Sequence, residues 1–264
     1  MDFGENVHII PLGFEIDRAV KPFERFKANR VYILTTLNPK YPKEMNSKQD
    51  HCNKSVVNAL KEKGIEVHLE TDIDIFDILK VMKRVAELVR IEKEDKGNDV
   101  YVNMSAAGKL TSLGSSLAAM AHNAHVYYVS ADGYPSSLEE EKLHGLSICN
   151  KLDLKLIQNF HINLPDSMGK IVLVNLCSKE KHMRTDEIVN LLISKKIELF
   201  EDEASVEPRN RRKTQQRNLV NLNKAVLGKL EKNGYITREK LGRLNYINIT
   251  ESGRYIAHIL GLRE

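Results

Sequence analysis

The chain has 264 residues, 42% hydrophobic and 29% charged, with a net charge of +4; this suits a globular protein of one or two domains and argues against a disordered or fibrous one. Asp2 and Glu5, with no apolar segment after them, predict no secretory signal, and the longest uncharged stretch, Leu110–Ala131, holds too many hydroxyl, amide and imidazole side chains for a membrane span. Cys52, Cys149 and Cys177 lack C-x-x-C spacing, so neither a disulfide framework nor a zinc ribbon is expected, and a reducing cytoplasm is.

Over the first 135 residues strand and helix signals alternate. Apolar runs predict strands at Val7–Leu12, Val31–Thr36, Ile65–Glu70, Val100–Met104 and Val126–Ser130. Helical periodicity falls around Ile16–Phe26, Ser47–Lys63, Ile75–Glu92 and Thr111–Asn123, with Gly64 and Gly97 as stops. Strict strand–helix succession implies right-handed crossovers and an α/β, Rossmann-like, doubly wound parallel sheet whose ligands bind beyond the carboxyl ends of the strands.

One of those ends stands out. In YVNMSAAGKL, Tyr101–Leu110, a buried strand gives way to small residues and Gly-Lys where a helix begins. Unpaired N–H groups and the positive end of the helix dipole favour an anion there. Ser105, Ala106, Ala107 and Gly108 leave the backbone open to close approach, and Lys109 adds a point charge. It is not a P-loop, because Asn103 stands where the first glycine belongs and Leu110 where the magnesium-binding hydroxyl belongs. Nor is it a dinucleotide fingerprint, since the first strand is followed by a single glycine, Gly13.

Charge divides the chain. Residues 1–164 hold 21 Lys and Arg against 23 Asp and Glu, whereas residues 165–264 hold 19 against 13. Between Ser205 and Arg254, 12 basic residues meet four acidic ones, a field that attracts nucleic-acid phosphate. Helices are expected at Ser167–Ser178 and from Thr185, then an acidic segment, Ile197–Glu207. The basic run from Arg209 enters a third helix, Leu219–Asn233, with Leu219, Leu222, Val226, Leu227 and Leu230 as its core face. Ile236–Lys240 and Leu244–Ile249 read as a hairpin with a basic tip, and a last helix starts after Thr250.

The stretch KAVLGKLEKNGYITREKLGRLNYINITESGR closely resembles the recognition helix, wing and final helix of winged helix-turn-helix regulators of the MarR and ArsR type. The resemblance implies double-stranded DNA as partner. Arg211, Arg212, Lys213, Gln215, Gln216, Arg217 and Asn218 can then offer guanidiniums and amides to base edges, while Arg238, Lys240 and Arg243 on the wing meet phosphate or the minor groove. The long insert before the third helix departs from that family's pattern and leaves the start of the recognition helix open.

With both halves placed, VNMSAAGKL resembles the ligand turn of the CARF domain (CRISPR-associated Rossmann fold), and archaeal regulators joining a CARF domain to a winged helix look most similar. This implies a homodimer whose two sites form one basin for a cyclic oligoadenylate, usually cyclic tetra-adenylate. Ser105, Ala106, Ala107, Gly108, Lys109 and Leu110 would be the main ligand turn, with Gly13 and Phe14 the second wall. The expected organisation is a sensor over residues 1–135, a connecting segment over 136–165 and a DNA-binding winged helix over 166–264. Two other readings stay open: a slow ring nuclease in which Ser105 and Lys109 orient the ligand and stabilise charge, and a regulator of an unrelated nucleotide. No metal is expected, since His122 and His125 lack a third ligand; His51-Cys52 lacks a third catalytic group, and Asp72, Asp74 and Asp77 read as helix-start charges.

Overall fold

The computed structural model describes residues 4–178, 182–241 and 244–262, and its contacts divide into two units, Met1–Ile162 and Asn163–Glu264. In the first unit β1 (Asn6–Pro11), β2 (Arg30–Leu34), β3 (Glu66–Glu70), β4 (Asp99–Asn103), β5 (His125–Ser130) and β6 (Asp153–Ile157) form one sheet in the order β3-β2-β1-β4-β5-β6. The first five are parallel; β6 runs antiparallel to β5, Val126 opposite Ile157. That is the Rossmann-like, doubly wound order expected.

Residue alternation along the strands builds two cores. Ile9 and Leu34 enter the core under α3 (Ile78–Val89) and α4 (Lys109–Ala121), while their neighbours Ile10 and Ile33 enter the core under α1 (Asp17–Val20) and α2 (Lys43–Glu62). The expected strands form within two residues of their predicted ends, and Gly64 and Gly97 take φ near +75° as helix stops. The helix expected over Ile16–Phe26 is shorter, because Pro22 turns the chain into a 3-10 segment, Lys21–Glu24. α3 begins late, at Ile78, where the Asp77 carboxylate accepts from the Leu79 and Lys80 N–H groups at 3.0 and 3.3 Å. The segment 136–165, expected as a connector, carries α5 (Leu138–His144) and the edge strand β6.

At the amino ends of the strands lies a fully buried carboxylate. Glu92 sits in a π-helical segment, Arg90–Asp95, at the end of α3. It accepts from the Tyr32 hydroxyl at 2.6 Å, Asn98 Nδ2 at 2.7 Å and Lys96 Nζ at 2.9 Å, and pairs with Arg30 at 3.1 Å. Burial alone would raise its pKa, but these hydrogen bonds and the Arg30 charge outweigh burial and hold the carboxyl below its ordinary value.

The second unit contains α6 (Ser167–Ser178), β7 (Met183–Arg184), α7 (Thr185–Ser194), α8 (Arg211–Asn221), α9 (Gly228–Lys232), β8 (Ile236–Leu241), β9 (Leu244–Ile249) and α10 (Glu251–Ile259), with a sheet ordered β7-β9-β8. It is a winged helix, closed around Val172, Leu176, Ile188, Leu192, Leu222, Val226, Ile236 and Ile247. A π-helical segment, Leu222–Leu227, joins α8 to α9, so the third helix starts at Arg211, ahead of the expected Leu219. Its buried stripe, Thr214, Asn218, Leu222 and Val226, recurs every four residues and is polar over the first half. An apolar pattern therefore shows only where Leu222 begins. Among the described residues no helix is long and apolar enough to cross a membrane.

Candidate functional site

The turns after β1 and β4 lie side by side: the Gly13 N–H donates to the Ala106 carbonyl at 2.8 Å. They meet where the sheet order reverses, β1 leading outward to β2 and β4 to β5, which is the position at which open α/β sheets bind ligands. The ligand turn is layered. Ser105 and Ala106 are buried, Ala107 is half-buried, and Gly108, Lys109 and Leu110 are exposed. Gly108 is the N-cap of α4 and no side chain caps the helix, so its first N–H groups face the turn.

The buried layer fixes the exposed one. The Ser105 hydroxyl donates to Asn103 Oδ1 at 2.6 Å and accepts from the Val129 N–H at 3.1 Å, while its own N–H donates to Asn103 Oδ1 at 2.8 Å. Asn103 Nδ2 donates in turn to the Arg18 carbonyl at 2.8 Å, and Arg18 donates to the Ser105 carbonyl at 3.2 Å. Ser105 is therefore committed to the scaffold, which removes the orienting hydroxyl that the nuclease reading assigns to it. Arg18 and Asn103 were not singled out as site residues in the sequence; the only signal was an asparagine closing an apolar strand.

The Gly13-Phe14 wall is held by Gln49, whose amide donates to the Gly13 carbonyl at 3.0 Å, and by residues after α5. The Leu146 N–H donates to the Phe14 carbonyl at 2.9 Å. Beside it, Glu15 accepts from the Ser147 hydroxyl at 2.9 Å and pairs with Arg18 at 3.3 Å; burial pushes its carboxyl above the usual range, with the Arg18 charge opposing. Asp17 accepts from the Cys149 N–H at 2.9 Å and lies 3.0 Å from His144 Nδ1. Gly145 makes the approach possible: with φ +80°, a Cβ there would stand 2.5 Å from the Phe14 carbonyl oxygen and the Ile16 nitrogen. Gly145→Ala should cost about 1–3 kcal/mol and displace this wall, read as a lower melting temperature together with weaker ligand binding; an unchanged melting curve would refute the close approach.

The other reactive side chains are committed to packing or to partners of their own. Cys52 is buried and its thiol is pushed by burial up to about 11, and His51 Nε2 donates to the Lys142 carbonyl at 2.8 Å, an arrangement without an activated nucleophile. His122 Nδ1 contacts Glu94 at 3.1 Å. Asp74 accepts from the Tyr41 hydroxyl at 3.0 Å.

On the winged helix, Arg211, Arg212, Lys213, Gln215, Gln216 and Arg217 are exposed on α8, and Arg238 and Lys240 on β8. Asn218 is not: it is 1% exposed and its amide is bonded to the Glu201 backbone, Nδ2 to the carbonyl at 2.8 Å and Oδ1 to the N–H at 3.3 Å. It leaves the set of expected base contacts and becomes a packing residue. Arg238 is drawn back to Glu231 at 2.9 Å and to the Asn223 amide. Arg243 lies outside the described residues.

Comparisons follow the same division. Residues 6–134 match the family model "HFX_2341_N:-like, N-terminal". An uncharacterized protein of Methanocaldococcus jannaschii is 24% identical over 97% of this chain and 96% of its own length. Enterococcus italicus Csm6 bound to cyclic hexa-2′-fluoro-hexa-dAMP aligns at TM-score 0.44 and 13% identity, over 87% of this chain and 58% of that one. Can2 from Sulfobacillus thermosulfidooxidans in complex with cyclic tetra-adenylate aligns at TM-score 0.39 and 13% identity, over 95% of this chain and 61% of that one. The chain thus spans about three fifths of either structure. Residues 170–261 match the model "DUF6293 C-terminal winged helix domain", in agreement with the fold of the second unit.

Proposed function

We propose that the chain is a ligand-responsive, DNA-binding transcription regulator whose first unit is a CARF sensor for a cyclic oligoadenylate, with cyclic tetra-adenylate as the expected effector. One observation carries the reading. Two backbone turns, joined by the Gly13 to Ala106 hydrogen bond, present an uncapped helix start and Lys109 at the switch point of a sheet, in a chain that also carries a winged helix. A polyanionic ligand meets N–H groups and a cation there, and α8 with β8 offers exposed cations to a duplex. The resemblance of Val102–Leu110 to the CARF ligand turn supports a cyclic oligonucleotide over other phosphate esters.

The assembly is read as a homodimer. Leu110 and Leu113, 60% and 51% exposed, lie one turn apart on α4. Phe76, 50% exposed, follows Ile75, whose carbonyl accepts from the Thr111 hydroxyl. This apolar patch borders the ligand turn and suits a second copy bringing a second turn to one ring-shaped ligand.

A titration of the chain's own promoter DNA, with and without cyclic tetra-adenylate, tests the proposal. A pseudo-palindromic site bound with steep salt dependence and shifted by the ligand is expected. No complex in either condition would remove the regulator reading. A complex indifferent to the ligand would keep DNA binding and discard the sensor. Linear oligoadenylates appearing in the mixture would point to the nuclease instead.

A further inference from the structure

The acidic stretch ahead of α8 is built onto the polar half of that helix. Phe200, 6% exposed, is part of the second core. The main chain beside it is clamped by Asn218 on both sides of Glu201, and Asn221 Nδ2 donates to the Leu199 carbonyl at 2.9 Å. Asp202 caps the short turn Glu203–Ser205 by accepting from the Ala204 N–H at 2.9 Å. Core packing, main-chain bonds and the Asp202 cap thus hold the stretch in place without using the Glu201 carboxylate. So placed, the Glu201 carboxylate pairs with the Arg217 guanidinium through Nη2. Asp202 and Glu203 face a cleft of about 980 Å³ that Gln215 and Asn218 also line. Among the described residues, no ion pair holds Arg211, Arg212 or Lys213.

Three cations at the start of α8 are therefore free for phosphate, and Arg217, deeper along the helix, is neutralised by a fixed partner. We propose that Glu201 is a specificity-determining residue of the DNA-reading face, withholding Arg217 from the phosphates of arbitrary duplexes. The inference rests on the DNA-binding reading above. Phosphate contacts supply affinity without sequence information, and an arginine already paired to a carboxylate adds little to them. Because only Nη2 is used, the Nε and Nη1 donors remain for a base-edge acceptor, so the pair trades indiscriminate affinity for discrimination.

The test is a double-mutant cycle on the full chain, titrated with a random-sequence 30-base-pair duplex across a salt series. Glu201→Gln leaves the Asn218 clamp intact, since that clamp acts on the main chain. It should bind the random duplex about two- to fivefold more tightly, and the slope of log Kd against log salt should steepen by about one. Arg217→Ala should change binding by less than about twofold in the native chain, yet abolish the gain in the Glu201→Gln background. Arg212→Ala, which has no acidic partner to lose, should weaken both backgrounds alike. Unchanged or weaker binding by Glu201→Gln, or an Arg217→Ala loss as large as that of Arg212→Ala in the native chain, would overturn the proposal. A native chain and a Glu201→Gln chain that both ignore DNA would instead bring down the DNA-binding reading, and the inference with it. Should Glu201→Gln melt early, the Arg217→Ala and Arg212→Ala comparison in the native chain decides alone.

Discussion

Lys109→Ala is expected to bind cyclic tetra-adenylate about 10- to 150-fold more weakly, a loss of about 1.5–3 kcal/mol, with an unchanged melting temperature. Lys109 is the first residue of α4 and its side chain is exposed, so on the proposed reading its removal deletes a charge-assisted phosphate contact and leaves the packing below intact. The buried layer, Asn103, Ser105 and Arg18, keeps the turn in shape without it. Gly108→Val is the companion variant. A Cβ at Gly108 meets nothing within 4 Å, so the chain should fold, while the added methyls fill the space a phosphate needs against the backbone. Isothermal titration of both variants is the check, and full-strength binding by both would move the site elsewhere in the first unit.

The second large effect lies at the opposite, amino ends of the strands. Glu92→Ala should destabilise the first unit by about 3 kcal/mol or more, because it strands the buried Asn98 amide and the half-buried Tyr32 hydroxyl, removes the Lys96 contact and takes one of three carboxylates from Arg30. The pH dependence has a defined sign. Glu92 is held below its ordinary pKa in the fold, so its contribution is complete above the unfolded value of about 4.3 and is lost as pH falls through the folded value. Urea unfolding of the native chain and the variant should accordingly show a wide stability gap at neutral pH that narrows on acidification below about pH 4. A gap that stays constant with pH would show that the carboxylate's charge is not what the network uses.

What could be read from the sequence and what could not differ by the chemistry being buried. The inner parallel strands announce themselves because both faces of a doubly wound sheet are covered, which demands largely apolar runs such as Val31–Leu34. β6, Asp153–Ile157, gives no such signal: it is an edge strand with Asp153, Lys155 and Leu156 exposed. The same limit hides the first turns of α8, where Thr214 is buried and Asn218 is bonded to the main chain of the acidic stretch. An amide satisfied by main chain looks, in a sequence, like an amide waiting for a base. The small residues and the exposed Gly108 and Lys109 of the turn after β4 are legible in the sequence, because they stand where a strand run meets a helix start. The groups that hold the two turns are not, because Arg18 reaches the Ser105 carbonyl from α1 and Gln49 the Gly13 carbonyl from α2, far away along the chain.

The two-layered turn after β4 lets the surface of this sheet change independently of its support. Everything that keeps the turn folded is below Ala107, and everything a solute can touch is at Ala107 or beyond. Substitutions at the four outer positions can accumulate without jeopardising the sheet, so what the turn presents to a solute can change through intermediates that all remain folded. The same separation makes Ala107–Leu110 the natural place to randomise when a new binding turn is to be raised on this sheet.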